Sequence, residues 1–143
     1  MPNAPTAIMP TYGRLPVTFD RGEAAILYDT ADRAYLDGVS GLAVTNGGHN
    51  HPRVTAAVTE QAARLVHTSN LFHIGLQEEA ADLLRHATGM ENMFFCNSGA
   101  EANEAAIKLA RRLGHHRQIE RPHIIVLDGA FHGRTIGALS ATG

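Results

Sequence analysis

Two short apolar runs, NMFFC (92–96) and HIIVL (123–127), flank one strongly helical stretch. That spacing constrains the chain more than any other feature, because it is the pattern of a βαβ unit with parallel strands and a right-handed crossover. The helix between them has a well-specified start: Ser98 and Glu101 have the spacing of a capping box. Ala102, Ala106, Leu109, Ala110 and Leu113 then share one face, and Glu101, Glu104, Lys108, Arg111 and Arg112 the other, with Gly114 as the stop. The expected class is α/β with a mainly parallel sheet.

Upstream, residues 1–22 hold Pro2, Pro5, Pro10 and Pro16 and show little periodicity, so they are expected to form an extended arm. In AAILYDTADRAYLDG (24–38) two apolar stretches flank the polar turn DTADR, the pattern of a β-hairpin. The glycine-rich GVSGLAVTNGGHNHP (38–52) reads as a functional or close-contact loop. Pro52 then suits a first helical position, followed by a stripe of Val54, Val58, Ala62, Leu65 and Val66. A further helix over about 77–87 would bury Ala80, Leu83, Leu84 and Ala87, with Gly89 as its stop. Two segments are expected: 1–70 with arm, hairpin and first helix, and 71–143 as the first part of a larger α/β domain. The closing ALSATG has no polar tail, which reads as the first part of a longer protein.

Composition narrows the function classes. The 143 residues are 44% hydrophobic, enough for a core, and a formal net charge of -2 leaves no basic surplus for a nucleic acid. Neither a signal peptide nor a membrane-spanning run is legible, so the expectation is a cytoplasmic protein without membrane partners. One cysteine, Cys96, is read as a small buried hydrophobe. His49 and His51 lack a third ligand at recognisable spacing and are read as loop-packing residues, with no metal expected.

Chemistry concentrates at the two turns that follow the apolar runs. A strand leading through Ser98, Gly99 and Ala100 into a helix offers free N–H groups and a positive dipole end to an anion. The second turn carries Phe131, His132 and Arg134, and in a parallel sheet both turns face one crevice. An aromatic ring, a guanidinium and an anion cradle together suit a planar, phosphorylated ligand plus a carboxylate. Lys108, the only lysine, sits four residues after Glu104 in the order that favours an exposed ion pair, and is read as a surface residue. A non-catalytic module binding a phosphorylated small molecule stays open at this level.

Several blocks occur in order: YGRLPV (12–17), YLDGVSGLAV (35–44), GGHNHP (47–52), FFCNSGAEANEAAIKLAR (94–111) and AFHGRTIGALSATG (130–143). Together they make the chain resemble the class III aminotransferases, which use pyridoxal 5'-phosphate, from about Pro10 to the last residue. The resemblance implies a fold-type I transferase, homodimeric at full length. It implies transfer of the amino group of N-acetylornithine, or a close ω-amino donor, to 2-oxoglutarate in arginine metabolism. Ornithine, succinylornithine and 4-aminobutyrate are the alternative donors.

Residue roles follow from the same resemblance. Gly99 and Ala100 match amides that bind the cofactor phosphate, beside Ser98. Phe131, with His132 next to it, matches the residue that stacks on the pyridine ring. Arg134 matches an arginine that receives a substrate carboxylate, and Tyr12 falls where the family lines the substrate entrance. Ala100 stands where many relatives carry Thr or Ser, which removes a hydroxyl donor and leaves the backbone donor. The Schiff-base lysine is expected beyond residue 143, so the segment by itself is expected to be inactive.

Overall fold

A computed structural model describes residues 7–143, and the chain divides into two compact units, Met1–Leu71 and Phe72–Gly143. The arm residues Pro2 and Pro5 lie outside the described residues.

The first unit is built on the hairpin. Strands β1 (Phe19–Glu23), β2 (Ile26–Asp29) and β3 (Ala34–Leu36) form an antiparallel sheet in the order β1-β2-β3. Tyr28 pairs with Ala34 across the expected turn, and Arg21 pairs with Tyr28 on the other side. The arm is therefore shorter than expected: its last residues pair as β1, because β2 offers them a free edge of N–H and C=O groups. Arg21 also lies over the Tyr28 ring, 4.0 Å from its centroid.

Asp29 organises the β2–β3 turn. Its carboxylate accepts from the amides of Ala31 (2.9 Å) and Arg33 (3.0 Å), from Arg33 Nε (2.7 Å) and from the Tyr35 hydroxyl (3.1 Å). Burial alone would push this carboxyl up, but the hydrogen bonds from Arg33, Ala31 and Tyr35 outweigh it and lower its pKa from 3.8 to about 2. A carboxylate whose folded pKa is depressed stabilises the fold above its unfolded value, and that contribution fades as pH falls towards the folded one. The hairpin is expected to loosen between about pH 4 and pH 2. Asp29→Asn, followed by the chemical shifts of Ala31 and Arg33 amides against pH, should abolish that transition.

The glycine-rich loop contains the one-turn element α1 (Ser40–Ala43), and its backbone is left-handed: φ is +46° at Ser40, +62° at Gly41, +59° at Leu42 and +65° at Ala43. Three of those residues carry a Cβ, so the conformation is strained and needs outside support. Asp37 supplies it. Its carboxylate accepts from the amides of Val39 (3.0 Å) and Ser40 (2.8 Å) and lies 2.7 Å from His49 Nε2. His49 in turn pairs by backbone with Ala24, which ties GGHNHP to the hairpin. Helix α2 (Pro52–Arg64) begins with Pro52 at its first position, yet its apolar stripe is open: Val54 and Val58 are exposed.

The second unit holds α3 (Gly75–Thr88), α4 (Gly99–His116) and α5 (Ile136–Ser140). Gly89 closes α3 with φ +72° and donates its amide to Arg85 O at 2.9 Å, the left-handed cap expected of it. The expected face of α3 is largely uncovered, with Leu83 and Leu84 exposed.

The parallel strand pair is not formed among the described residues. Residues 92–96 and 123–127 have no ladder partner, and Phe94, Ile125 and Leu127 are exposed. An apolar run has the side chains of a buried strand, but a strand also needs a neighbour on each edge, and the described residues place none beside either run. Cys96 is likewise exposed rather than buried, its Sγ 3.4 Å from Ser98 O.

The packed side of α4 also differs from the expected one. Ala100, Asn103, Glu104 and Ile107 are partly covered, whereas Ala102, Ala106, Leu109 and Leu113 are exposed. The segment 128–143 folds back on the small and polar stripe, and the buried apolar residues Ala138 and Ala141 belong to that segment. Gly114 does not end the helix, which runs on to His116. It is buried because Pro122 lies against it: a Cβ there would stand 2.5 Å from Pro122 Cβ.

Candidate functional site

The first turn is set by the start of α4. Ser98 is the N-cap, extended in backbone, and its Oγ accepts from the Glu101 amide at 3.2 Å. The return half of the capping box differs from expectation by one residue: Glu101 Oε2 accepts from the amide of Asn97 (2.6 Å), not of Ser98. The Ala102 amide donates to Ser98 O, so the amides of Gly99 and Ala100 are the two in the first turn with no protein acceptor among the described residues. Nothing lies within 4 Å of a Cβ built on Gly99. Two uncommitted donors on a helix N-terminus, with open space beside Gly99, suit a phosphate group.

The second turn lies directly against the first. Gly133 has φ +127°, and a Cβ there would be 2.7 Å from Ala100 Cβ and 3.1 Å from Ala100 Cα. Backbone therefore touches backbone where Ala100 meets Gly133, a contact that only small residues permit. Phe131 and Arg134 flank Gly133 in the sequence. Both are exposed, and the Arg134 guanidinium carbon is 5.5 Å from the Phe131 ring centroid. His132 turns inward: its amide donates to Thr142 Oγ1 (3.1 Å), while its Nδ1 is buried without a hydrogen-bond partner.

The structure thus brings together Ser98, Gly99, Ala100, Phe131, His132 and Arg134 within the second unit. Tyr12 belongs to the first unit, where it is exposed. The second unit thus holds, in two adjoining turns, two free amides, an exposed aromatic ring and a guanidinium, groups that can bind an anion, a flat ring and a carboxylate respectively. A side chain on Gly133 would overlap Ala100 and Ala138 and force the two turns apart.

Sequence reasoning missed the residues that hold the second turn. Asn103 Nδ2 donates to His132 O (2.6 Å), and Glu104 Oε1 accepts from Thr135 Oγ1 (2.6 Å) and from the amides of Gly137 (2.9 Å) and Ala138 (3.3 Å). The expected Glu104–Lys108 ion pair is replaced by these bonds, and Glu104 faces the packed side of α4. The Thr135 hydroxyl, then the amides of Ala138 and Gly137 with Lys108 nearby, hold the Glu104 carboxyl below its ordinary range against the opposing effect of burial. The only advance signal was an N-cap threonine in FHGRT, and its partner lies thirty-one residues earlier in the chain.

Lys108 is exposed and lines a depression of about 670 Å³ with Phe94, Cys96 and Leu109. An apolar groove of about 710 Å³ in the first unit is lined by none of the expected ligand residues. No group of His, Cys, Asp and Glu side chains suited to a metal occurs among the described residues, and no helix there is long and apolar enough to cross a membrane.

Residues 7–143 match the family described as aminotransferase class-III. The chain is 55% identical over 136 residues to an acetylornithine aminotransferase of Nitrosomonas europaea, covering 95% of this chain and 35% of that protein. It is 53% identical over 137 residues to one from Halalkalibacterium halodurans, covering 95% and 34%. Among solved structures, an ornithine aminotransferase from Toxoplasma gondii superposes with a TM-score of 0.87 at 30% identity, over 95% of this chain and 33% of that one. An N-acetylornithine aminotransferase from Stenotrophomonas maltophilia gives 0.78 at 39% identity, over 85% and 34%. The chain spans about a third of the length of the curated relatives it matches.

Proposed function

Because the chain belongs to the class III aminotransferases, we propose that the full-length protein is a pyridoxal 5'-phosphate-dependent transaminase acting on N-acetylornithine and 2-oxoglutarate. The observation that supports this reading is the contact of Gly133 with Ala100, which packs the turn that carries Phe131 and Arg134 against the helix start that carries two uncommitted amides. N-acetylornithine is favoured over ornithine, succinylornithine or 4-aminobutyrate because relatives 55% and 53% identical to the chain are acetylornithine aminotransferases. A cytoplasmic homodimer in arginine metabolism completes the proposal.

When bound, the cofactor supplies a conjugated ring that draws electrons from the substrate carbon bearing nitrogen. The chain's own residues bind and orient. Gly99 and Ala100 donate their amides to the phosphate, aided by the dipole of α4. Phe131 covers one face of the pyridine ring and excludes water from it. His132 braces the turn through its amide, and Arg134 receives a carboxylate by a paired, charge-assisted hydrogen bond. Tyr12 we assign to the substrate entrance. Lys108 we leave out of the chemistry, placing the proton-shuttling lysine beyond residue 143.

The test is amino transfer by the full-length protein with each of the four donors. N-acetylornithine should give the highest kcat/KM, and Phe131→Ala should weaken cofactor affinity about tenfold, the effect of losing roughly 1–1.5 kcal/mol of ring stacking. Cofactor binding without transfer from any donor would favour a binding module instead.

A further inference from the structure

We propose that Asn103 and Glu104 are positioning residues, a two-point clamp through which α4 fixes Phe131 and Arg134 relative to the amides at its own N-terminus. The identity of the ligand rests on the function proposed above; the clamp itself rests on geometry.

The clamp grips both ends of the turn. Asn103 holds the His132 carbonyl at 2.6 Å, on the near side of Arg134. Glu104 holds the Thr135 hydroxyl and the Gly137 and Ala138 amides on the far side. Gly133 and Arg134 lie between the two anchors, and Phe131 adjoins the first. Ala100, Asn103 and Glu104 are three and four residues apart, so they share a face of α4 with the turn that carries the free amides. One rigid helix turn therefore links both halves of the cradle.

Chemistry makes Glu104 the stronger anchor. The first amides of α5 have no carbonyl partner inside that short helix, and Thr135, its N-cap, gives them no side-chain oxygen. An anionic carboxylate from another helix fills that role with charge-assisted bonds. The fit is close: a Cβ on Gly137 would overlap the Glu104 carboxylate, so a larger residue there would displace that side chain from its bonds. Thr142 closes the far side, with its hydroxyl 3.1 Å from both the His132 amide and Ala138 O.

The experiment compares Glu104→Ala, Glu104→Gln and Asn103→Ala in the full-length protein. Three readouts apply: hydrogen exchange at the Gly137 and Ala138 amides, affinity for pyridoxal 5'-phosphate, and KM for 2-oxoglutarate against kcat. Glu104→Ala should lose the amide protection and raise that KM about tenfold or more, the scale of one lost charge-assisted bond. Glu104→Gln keeps an acceptor oxygen and should recover most of both. Unchanged protection in Glu104→Ala, or lost protection with KM and cofactor affinity both at wild-type values, would overturn the clamp. If Glu104→Ala loses protection but the wild-type protein binds no pyridoxal 5'-phosphate, the clamp stands and the ligand assignment falls.

Discussion

Gly133→Ala should abolish cofactor binding and destabilise the second unit by about 2–4 kcal/mol, combining backbone strain with overpacking. At φ +127° an L side chain is strained before any neighbour is considered. The new methyl would also meet Ala100 Cβ at 2.7 Å and Ala138 Cβ at 3.0 Å. Neither neighbour can yield, since Ala138 is fully buried and Ala100 lies in the first turn of α4. The turn would have to lift away, carrying Phe131 and Arg134 from the amides of Gly99 and Ala100. Thermal unfolding and a spectrophotometric cofactor titration check both parts. Adding Ala100→Gly should recover part of the stability, because it removes the nearest contact and leaves the φ penalty.

Arg134→Ala should leave the fold intact and disable recognition. The residue is exposed, so truncation removes little packing, within about 0.5 kcal/mol. Its guanidinium is the only cation in the second turn, and loss of a paired bond to a carboxylate is worth about 1.5–3 kcal/mol, or ten- to a hundredfold. KM for 2-oxoglutarate should rise by that factor while cofactor affinity stays near wild type. Arg134→Lys should recover only part, because an ammonium lacks the planar fork and stacks less well on Phe131. Equal loss of cofactor affinity in Arg134→Ala would mean that the residue serves the ring and not the substrate.

Local signals in the sequence located caps and turns well. The Ser98 cap, the glycine stop at Gly89, the hairpin around DTADR and the proline start of α2 are each set by residues within a turn of one another, and the structure has all four. The family blocks named the two turns that the fold then places in contact. What failed were readings that depend on a distant partner. The runs at 92–96 and 123–127 have strand-like side chains, but hydrophobicity cannot report whether another strand lies alongside. The strand β1 was hidden for the complementary reason, since FDRGE lacks alternation and is held by the edge of β2.

The α4 helix shows the same limit. Its larger apolar stripe has the pattern of a packed face, yet small and polar residues make the contact: Ala100 against Gly133, Asn103 and Glu104 against the turn, Gly114 against Pro122. Close backbone approach selects small side chains and hydrogen-bonding ones over bulk. Glu104 looked like half of a surface ion pair because its spacing to Lys108 is visible in sequence, whereas its spacing to Thr135 is not. The left-handed turn at Ser40–Ala43 was equally illegible, since only Gly41 among its residues favours positive φ.

The most direct test is a crystal structure of the full-length protein with pyridoxal 5'-phosphate. The expected result has phosphate oxygens within hydrogen-bonding distance of the Gly99 and Ala100 amides and the pyridine ring stacked on Phe131. Phosphate bound elsewhere, with those two amides hydrated and Phe131 facing solvent, would contradict the cradle.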